Sequence, residues 1–312
     1  MMYSNSKQSY PFLFVVLLAA CCLSIYNVVS AALPPSNLVM YTIDQQTFTT
    51  FNMTVINITS GVVNSTTLPI LQNNMWFGRF LGVDNNDNLI ILIGNNKGAN
   101  ALATISQSGK LLNDPVNRNA VYLVVGSGPQ LYVYDFANSS TDDIQLTIPD
   151  QQSTTSPTGC FDGVDNYYFM QADNTFSQFL LSSYSFSDQK QHDTLNVTGI
   201  APNSLTYLFS ANKQVYVLGY NLSQTTDMSL YLLDTDQATA TLSYSDQNTG
   251  LAIGLSSYVW FSDNYFVYLS MSSSSSTNQY YLTTVDLNTN QVISHSQVQG
   301  TFNTNPNISG VY

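Results

Sequence analysis

Glutamate is absent from all 312 positions, so each of the 19 acidic residues is an aspartate. Glutamate favours helices, whereas the short aspartate carboxylate bonds nearby backbone N–H groups and favours turns. Its absence argues against a helical fold. Histidine is almost missing too, with only His192 and His295, and no G-x-S-x-G elbow exists. Little is left for a Ser–His or Cys160–His192 nucleophilic centre, and a zinc site of the usual ligand set is disfavoured. Of three cysteines, Cys21 and Cys22 lie in the N-terminal apolar segment. Cys160 is then alone, so no intramolecular disulfide is available; it reads as a small buried hydrophobe, with an intermolecular bridge as the alternative.

Positive charge is also scarce. One of the seven Lys and Arg residues, Lys7, precedes an uncharged run from Pro11 to Leu23, and Val29-Ser30-Ala31 follows with small residues. This pattern predicts a signal peptide over 1–31 and a single mature domain over 32–312. Phe12 to Leu33 carries no charge, so an uncleaved signal anchor is the alternative, and either reading puts the remainder in a secretory lumen, a lysosome-like compartment or outside the cell. Seven N-x-[ST] sequons agree with that compartment: Asn52, Asn57, Asn64, Asn138, Asn196, Asn221 and Asn307. A chain this rich in Asn, Ser and Thr also produces sequons by chance. Without Lys7, six cations face 19 aspartates, a net charge of −13. Nucleic acid and anionic lipid headgroups are repelled by such a surface.

What the chain does hold is 21 tyrosines with many Val, Thr and Asn, a composition of strands and turns. Asp87-Asn88, Asp165-Asn166 and Asp263-Asn264 each open an apolar strand, and Asn119 and Asn212 open two more. A second strand follows each and ends at a polar turn marked by Ser106, Asp135, Asp188, Asp234 or Asp286; Asp44 supplies a sixth marker whose first strand is missing. From Asn166 to Asp188, Asn212 to Asp234 and Asn264 to Asp286 the spacing is 22 residues. Units of about 46–52 residues suit four-stranded propeller blades, which bury both faces by stacking radially. The expected fold is all-β and β-propeller-like, with about six antiparallel meanders, one lacking a strand near Asn119. The C-terminal segment Ile308-Ser-Gly-Val-Tyr312 is placed to complete the first unit. A paired β-sandwich or sheet stack is the alternative. Ser272–Thr277 falls between two strands of one unit as a hairpin tip.

The segments Tyr231–Leu242 and Thr284–Ile293, in which a strand ends in Asp and a short turn leads to the next strand, resemble the quinoprotein-like propeller repeat. The resemblance covers about half of the mature chain. The blade tryptophan and turn glycine of that family are missing. It implies a propeller-like fold and no particular chemistry.

Carboxylate pairs at Asp142-Asp143 and Asp234/Asp236 suggest glycoside chemistry, but both fall in expected turns. Asp84-Asn-Asn-Asp87-Asn88 matches the first half of a calcium loop, yet Leu89 replaces its glycine and no glutamate is available, so Ca2+ is at most a candidate ligand. Adjacent tyrosines such as Tyr167/Tyr168 and Tyr280/Tyr281 point to opposite strand faces, so half of them belong to core. In an up-and-down blade the first-to-second and third-to-fourth turns share one face of the ring. Asp84, Asp87, Asp162, Asp165 and Asp263 gather there, Asn138 is the one sequon clearly on that face, Asn221 lies in the opposite hairpins, and Asn57, Asn64 and Asn196 are expected near the opposite edge. The expected function is a secreted, non-enzymatic binding or adhesion module that recognises an extracellular glycan or protein through this loop face. The alternative is a secreted polysaccharide hydrolase or lyase working through aspartates.

Overall fold

The computed structural model describes residues 33–43, 50–69, 75–83, 89–95, 100–105, 111–112, 119–125, 129–135, 140–147, 158–173, 175–223, 227–247, 259–262, 264–272, 279–300 and 308–311. Apart from Leu33 they belong to one compact unit, Pro34–Tyr312. Every regular element among them is a strand, and none is a helix.

Six antiparallel sheets follow one another along the chain. The first holds β24 (Ile308–Val311), β1 (Asn37–Ile43), β2 (Thr50–Asn57) and β3 (Val63–Pro69), in that order. The second runs β4 (Met75–Val83), β5 (Leu89–Asn95), β6 (Asn100–Ile105) and β7 (Leu111–Leu112). In the third, β8 (Asn119–Val125) pairs β9 (Pro129–Asp135), which pairs β10 (Ser140–Gln145). The fourth runs β11 (Thr158–Phe161), β12 (Asn166–Ala172), β13 (Phe179–Ser185) and β14 (Lys190–Gln191), with β15 (Leu195–Val197) also on β13. The fifth is β16 (Ser204–Ala211), β17 (Gln214–Asn221), β18 (Met228–Asp234) and β19 (Thr239–Asp246). The sixth is β20 (Val259–Ser262), β21 (Tyr265–Ser272), β22 (Gln279–Asp286) and β23 (Gln291–Gln297).

Edge strands of the sheets meet in series: β8 meets β11, β11 meets β16, β16 meets β20, β20 meets β24, and β24 meets β4. Trailing strands lie outermost; β23 is exposed at most of its positions. This is a propeller-like arrangement and not a stack of two sheets. Strand β24 pairs β1 from Leu38↔Val311 to Tyr41↔Ile308, so the C-terminus closes the first sheet. The ring loses an open edge that way.

Each core lies between sheets. Strand β12 shows why: Tyr167 and Phe169 face Leu146 and Tyr184 on one side, while Tyr168 and Met170 face the cluster shared with β17 and β18 on the other. Strand β17 is buried on both faces from Val215 to Tyr220. A meander of this kind buries both faces only when a neighbour covers each.

Register corrects two details of the repeat. Asn37↔Asn57, Leu89↔Ile105, Asn119↔Asp135, Asn166↔Ser185 and Tyr265↔Asp286 are equivalent second-to-third-strand pairs. Asp44 therefore follows a second strand, and the third-to-fourth turn of the first sheet begins at Asn57. Likewise Ser185, not Asp188, matches Asp234 and Asp286; the 22-residue spacing at Asn166 compares a strand residue with turn residues at Asn212 and Asn264. In the third sheet the Asn119↔Asp135 pair makes β8 a second strand, so three strands are present among the described residues and the inner one is not.

The third-to-fourth turn recurs with one conformation. Its fifth residue has positive φ at Gly61 (70°), Gln189 (52°), Ala238 (50°) and Asn290 (56°). The side chain at its start caps it: Asn57 Oδ1 accepts from Ser60 N, Ser185 Oγ from Asp188 N, Asp234 Oδ1 from Asp236 N and Gln237 N, and Asp286 Oδ1 from Asn288 N.

Candidate functional site

Of the five aspartates on the expected ligand face, Asp84, Asp87 and Asp263 lie outside the described residues. The structure brings Asp162 and Asp165 to the same turn between β11 and β12. Asp162 Oδ1 accepts from the backbone N–H groups of Val164 (2.8 Å), Asp165 (2.9 Å) and Asn166 (3.0 Å), and Oδ2 accepts from Asn166 Nδ2 at 3.3 Å. Asp165 spans to the third-to-fourth turn of the same sheet. Its Oδ2 accepts from Ser185 Oγ (2.7 Å) and Ser187 Oγ (2.8 Å), and its Oδ1 from Ser187 N (2.8 Å). Hydrogen bonds from Ser185 and then Ser187 hold the Asp165 carboxyl below the usual carboxylate range, against a partial desolvation; the charge of His192 adds a little. Both aspartates thus tie loops together.

Beside Asp162 opens a cleft of about 460 Å3 between the fourth and fifth sheets, on this same turn face. Its wall carries Tyr168 from β12, Lys213 from the β16–β17 hairpin, Asp234 and Thr235 from the turn after β18, and Thr241 from β19. Val215, Leu232 and Leu233 supply the apolar part. Burial first, and then the nearby Asp162 and Asp236 carboxylates, push the Tyr168 phenol up, so it stays protonated. The hairpin is a two-residue turn closed by Ala211↔Gln214, with Asn212 at φ 47° and Lys213 at φ 61°. Two-residue hairpins of this hand prefer Asn-Gly, so a lysine at the second position is held in an unfavourable conformation. Sequence reading missed this cleft, because Lys213 and Tyr168 lie 45 positions apart in different units. Lysine where Asn-Gly is preferred was the available signal.

The other candidates separate. Asp142 and Asp143 sit inside β10, opposite Val133 and Tyr132, rather than in a turn; successive strand positions belong to opposite faces of a sheet. Asp234 Oδ1 is taken up by the turn to Asp236. Burial, then Asp162, pushes the Cys160 thiol well up, whereas the exposed His192 lies near Asp165, so the Cys160–His192 pair is not formed. His295 stacks on Tyr281 with ring centroids 5.1 Å apart, and its Nδ1 is 2.9 Å from Thr283 Oγ1. Among the described residues no three His, Cys, Asp or Glu side chains converge as a metal site; the half calcium loop at 84–88 lies outside them.

Two sequons change sides. Asn57 caps the third-to-fourth turn of the first sheet, and Asn64 follows that turn as the second residue of β3, so both adjoin the aspartate face. The physical reason is the register correction: β1 is a second strand, which shifts every later element of that sheet by one position. Asn196, opposite Leu180, and Asn221, at the end of β17, lie toward the other face; Asn52 is two residues into β2, also toward that other end. Asn138 and Asn307 are outside the described residues.

No family model matches this chain, and no curated protein matches it. Among solved structures, TolB from Acinetobacter baumannii aligns over 88% of this chain and 70% of its own, at 8% identity and a TM-score of 0.49. A 6-phosphogluconolactonase-like protein from Bacteroides uniformis aligns over 87% and 86%, at 12% identity and TM-score 0.46. Porphyromonas gingivalis dipeptidyl peptidase 4 aligns over 89% of this chain and 49% of its own, at 12% identity and TM-score 0.41. At these values no chemistry transfers. The assignment that closes from sheet order, register and ring contacts is architectural: an all-β, propeller-like chain of six antiparallel units among its described residues.

Proposed function

We propose that this chain is a secreted, glycosylated binding module that holds an extracellular glycan on its turn face, without turning it over. The observation that carries the reading is the cleft between the fourth and fifth sheets, which combines a phenol, hydroxyls, carboxylates and an ammonium group. Seven of its ten lining residues are polar, so hydrogen bonding would orient a ligand there. Asp162 and Asp165 are engaged by turn donors, which fits positioning and binding better than proton transfer. Secretion rests on the 1–31 segment and on sequons such as Asn52, Asn64 and Asn196, which are exposed in the fold. A secretory lumen or lysosome-like compartment suits the same features. The repeat itself we read as quinoprotein-like, because Asn57-Ile-Thr-Ser-Gly61 supplies a turn glycine at positive φ that the other copies lack.

A glycan-array screen of the secreted chain, with calcium and again with EDTA, tests this. Selective binding in both buffers supports it. A blank array removes the glycan and directs attention to protein partners, and release of reducing ends from a bound polysaccharide replaces the binder with a hydrolase or lyase.

A further inference from the structure

Resting on the glycan reading above, we infer that the cleft is built for a neutral pyranose and discriminates against uronate-type acidic sugars. Two carboxylates stand at its wall, and each has one oxygen locked. Asp162 Oδ1 takes three backbone N–H groups, and Asp234 Oδ1 takes those of Asp236 (3.1 Å) and Gln237 (3.0 Å). The second oxygen of Asp162 has one long contact at 3.3 Å, and that of Asp234 has no hydrogen bond among the described residues. Each therefore presents an oriented acceptor whose geometry is fixed by its own turn. A sugar hydroxyl is the matching donor.

Lys213 provides the complementary donor. It forms no ion pair or hydrogen bond among the described residues, although the chain has only seven cations against 19 aspartates. Its backbone sits at φ 61°, where glycine would be relaxed. The two-residue hairpin closed by Ala211↔Gln214 holds the backbone in that conformation. The ammonium can donate to a ring hydroxyl whose own proton goes to a carboxylate. Tyr168 and Thr235 add hydroxyls. An additional carboxylate on the sugar would meet two aspartates and one lysine, and like charge at short range is costly. A neutral polyol meets only partners.

The test uses the secreted chain and ligand-observed NMR with methyl glycosides of glucose, galactose and mannose, and of glucuronate and galacturonate. The expected result is binding of at least one neutral glycoside, with its uronate weaker by ~10-fold or more. The double variant Asp162→Asn, Asp234→Asn keeps both Oδ1 turn caps and converts the free acceptors into donors. It is expected to weaken the neutral sugar by ~10-fold and to remove the discrimination against uronates. Lys213→Gly is expected to weaken binding by ~5-fold or more while leaving the melting temperature unchanged or higher, because glycine relaxes the hairpin. Uronates bound as well as or better than neutral sugars overturn the inference and leave the glycan reading intact. Neutral binding unchanged in both variants also overturns it, by placing the glycan elsewhere on the molecule. No glycoside bound here, beside a positive array, overturns the cleft assignment; a blank array as well removes the parent reading.

Discussion

The seam that closes the ring gives the sharpest quantitative expectation. Gly61 and Gly163 both have positive φ, 70° and 78°, so alanine at either meets the same backbone strain, roughly 1–2 kcal/mol. They differ in what the new Cβ would touch. At Gly163 nothing lies within 4 Å, whereas at Gly61 the Cβ would fall 1.8 Å from the Gln297 carbonyl oxygen. Real Cβ atoms essentially never come within 3.0 Å, so that carbonyl must retreat by more than an ångström. The backbone there joins the first and sixth sheets: Gln299 N donates to Gly61 O at 2.7 Å, Gln299 Nε2 to Ser60 O at 3.1 Å, and Ser296 Oγ to Ile58 O. Losing two of these bonds costs about 2 kcal/mol beyond the strain. Gly61→Ala should therefore destabilise by roughly 3–4 kcal/mol, against roughly 1–2 kcal/mol for Gly163→Ala. For a domain of this size that is roughly 10 °C against roughly 4 °C in melting temperature. Calorimetry or far-UV circular dichroism melts of the two variants and the parent decide it. Equal shifts would refute the seam as drawn, because backbone strain alone would then account for both. Gly199→Ala repeats the experiment at the junction of the fourth and fifth sheets, where the Cβ would lie 2.0 Å from Ala240 O.

Tyr268 is 1% exposed and donates to Asp246 Oδ2 at 2.5 Å, with Tyr244 Oη 2.8 Å away; Tyr268→Phe removes the donor and should cost about 1.5–3 kcal/mol in urea unfolding, so a loss under about 0.5 kcal/mol would contradict the pairing. Asp165 and Asp173 are both held below the ordinary carboxylate range by hydrogen bonds, chiefly from Ser185 and Thr175 respectively. A depressed folded pKa contributes stability that is present above the unfolded value, about 3.9, and is lost as pH falls through the lower folded value. Asp165→Ala with Asp173→Ala should thus flatten the fall in melting temperature below about pH 4 relative to the parent, and an unchanged acid limb would contradict it. Burial and Asp162 raise the Cys160 thiol, so alkylation by iodoacetamide at pH 8 should be slow in the native chain and complete in denaturant; fast native labelling would show an open thiol.

The residues that define the architecture were readable because they act locally. Asn212 marks a two-residue hairpin by its left-handed backbone and Asp234 marks a turn by bonding backbone groups two and three residues away, and such chemistry is written in adjacent positions. The absence of glutamate, the spaced turn markers and the spare strand at 308–311 carried the class, the unit count and the closure of the first sheet. Register was not readable to one residue. Asn166 looked equivalent to Asn212, yet a three-residue loop capped by Asp162 replaces the two-residue hairpin there, and no local signal tells a loop of three from one of two. The displaced assignment of Asp44 arose the same way, since its partner strand lies more than 260 residues further along the chain.

Sequence by itself determined what each segment does with its own backbone: strand, turn, cap, and a surface with almost no cations. Only the tertiary structure decided which segments meet. It carried Asn57 and Asn64 to the aspartate face, put Asp142 and Asp143 mid-strand, and set Tyr168 and Asp162 from one sheet against Lys213, Asp234 and Thr241 from the next. The physical reason is the radial packing. Each meander needs neighbours on both faces to bury its apolar side chains, and the space between neighbours, where the cleft forms, belongs to neither sequence segment alone.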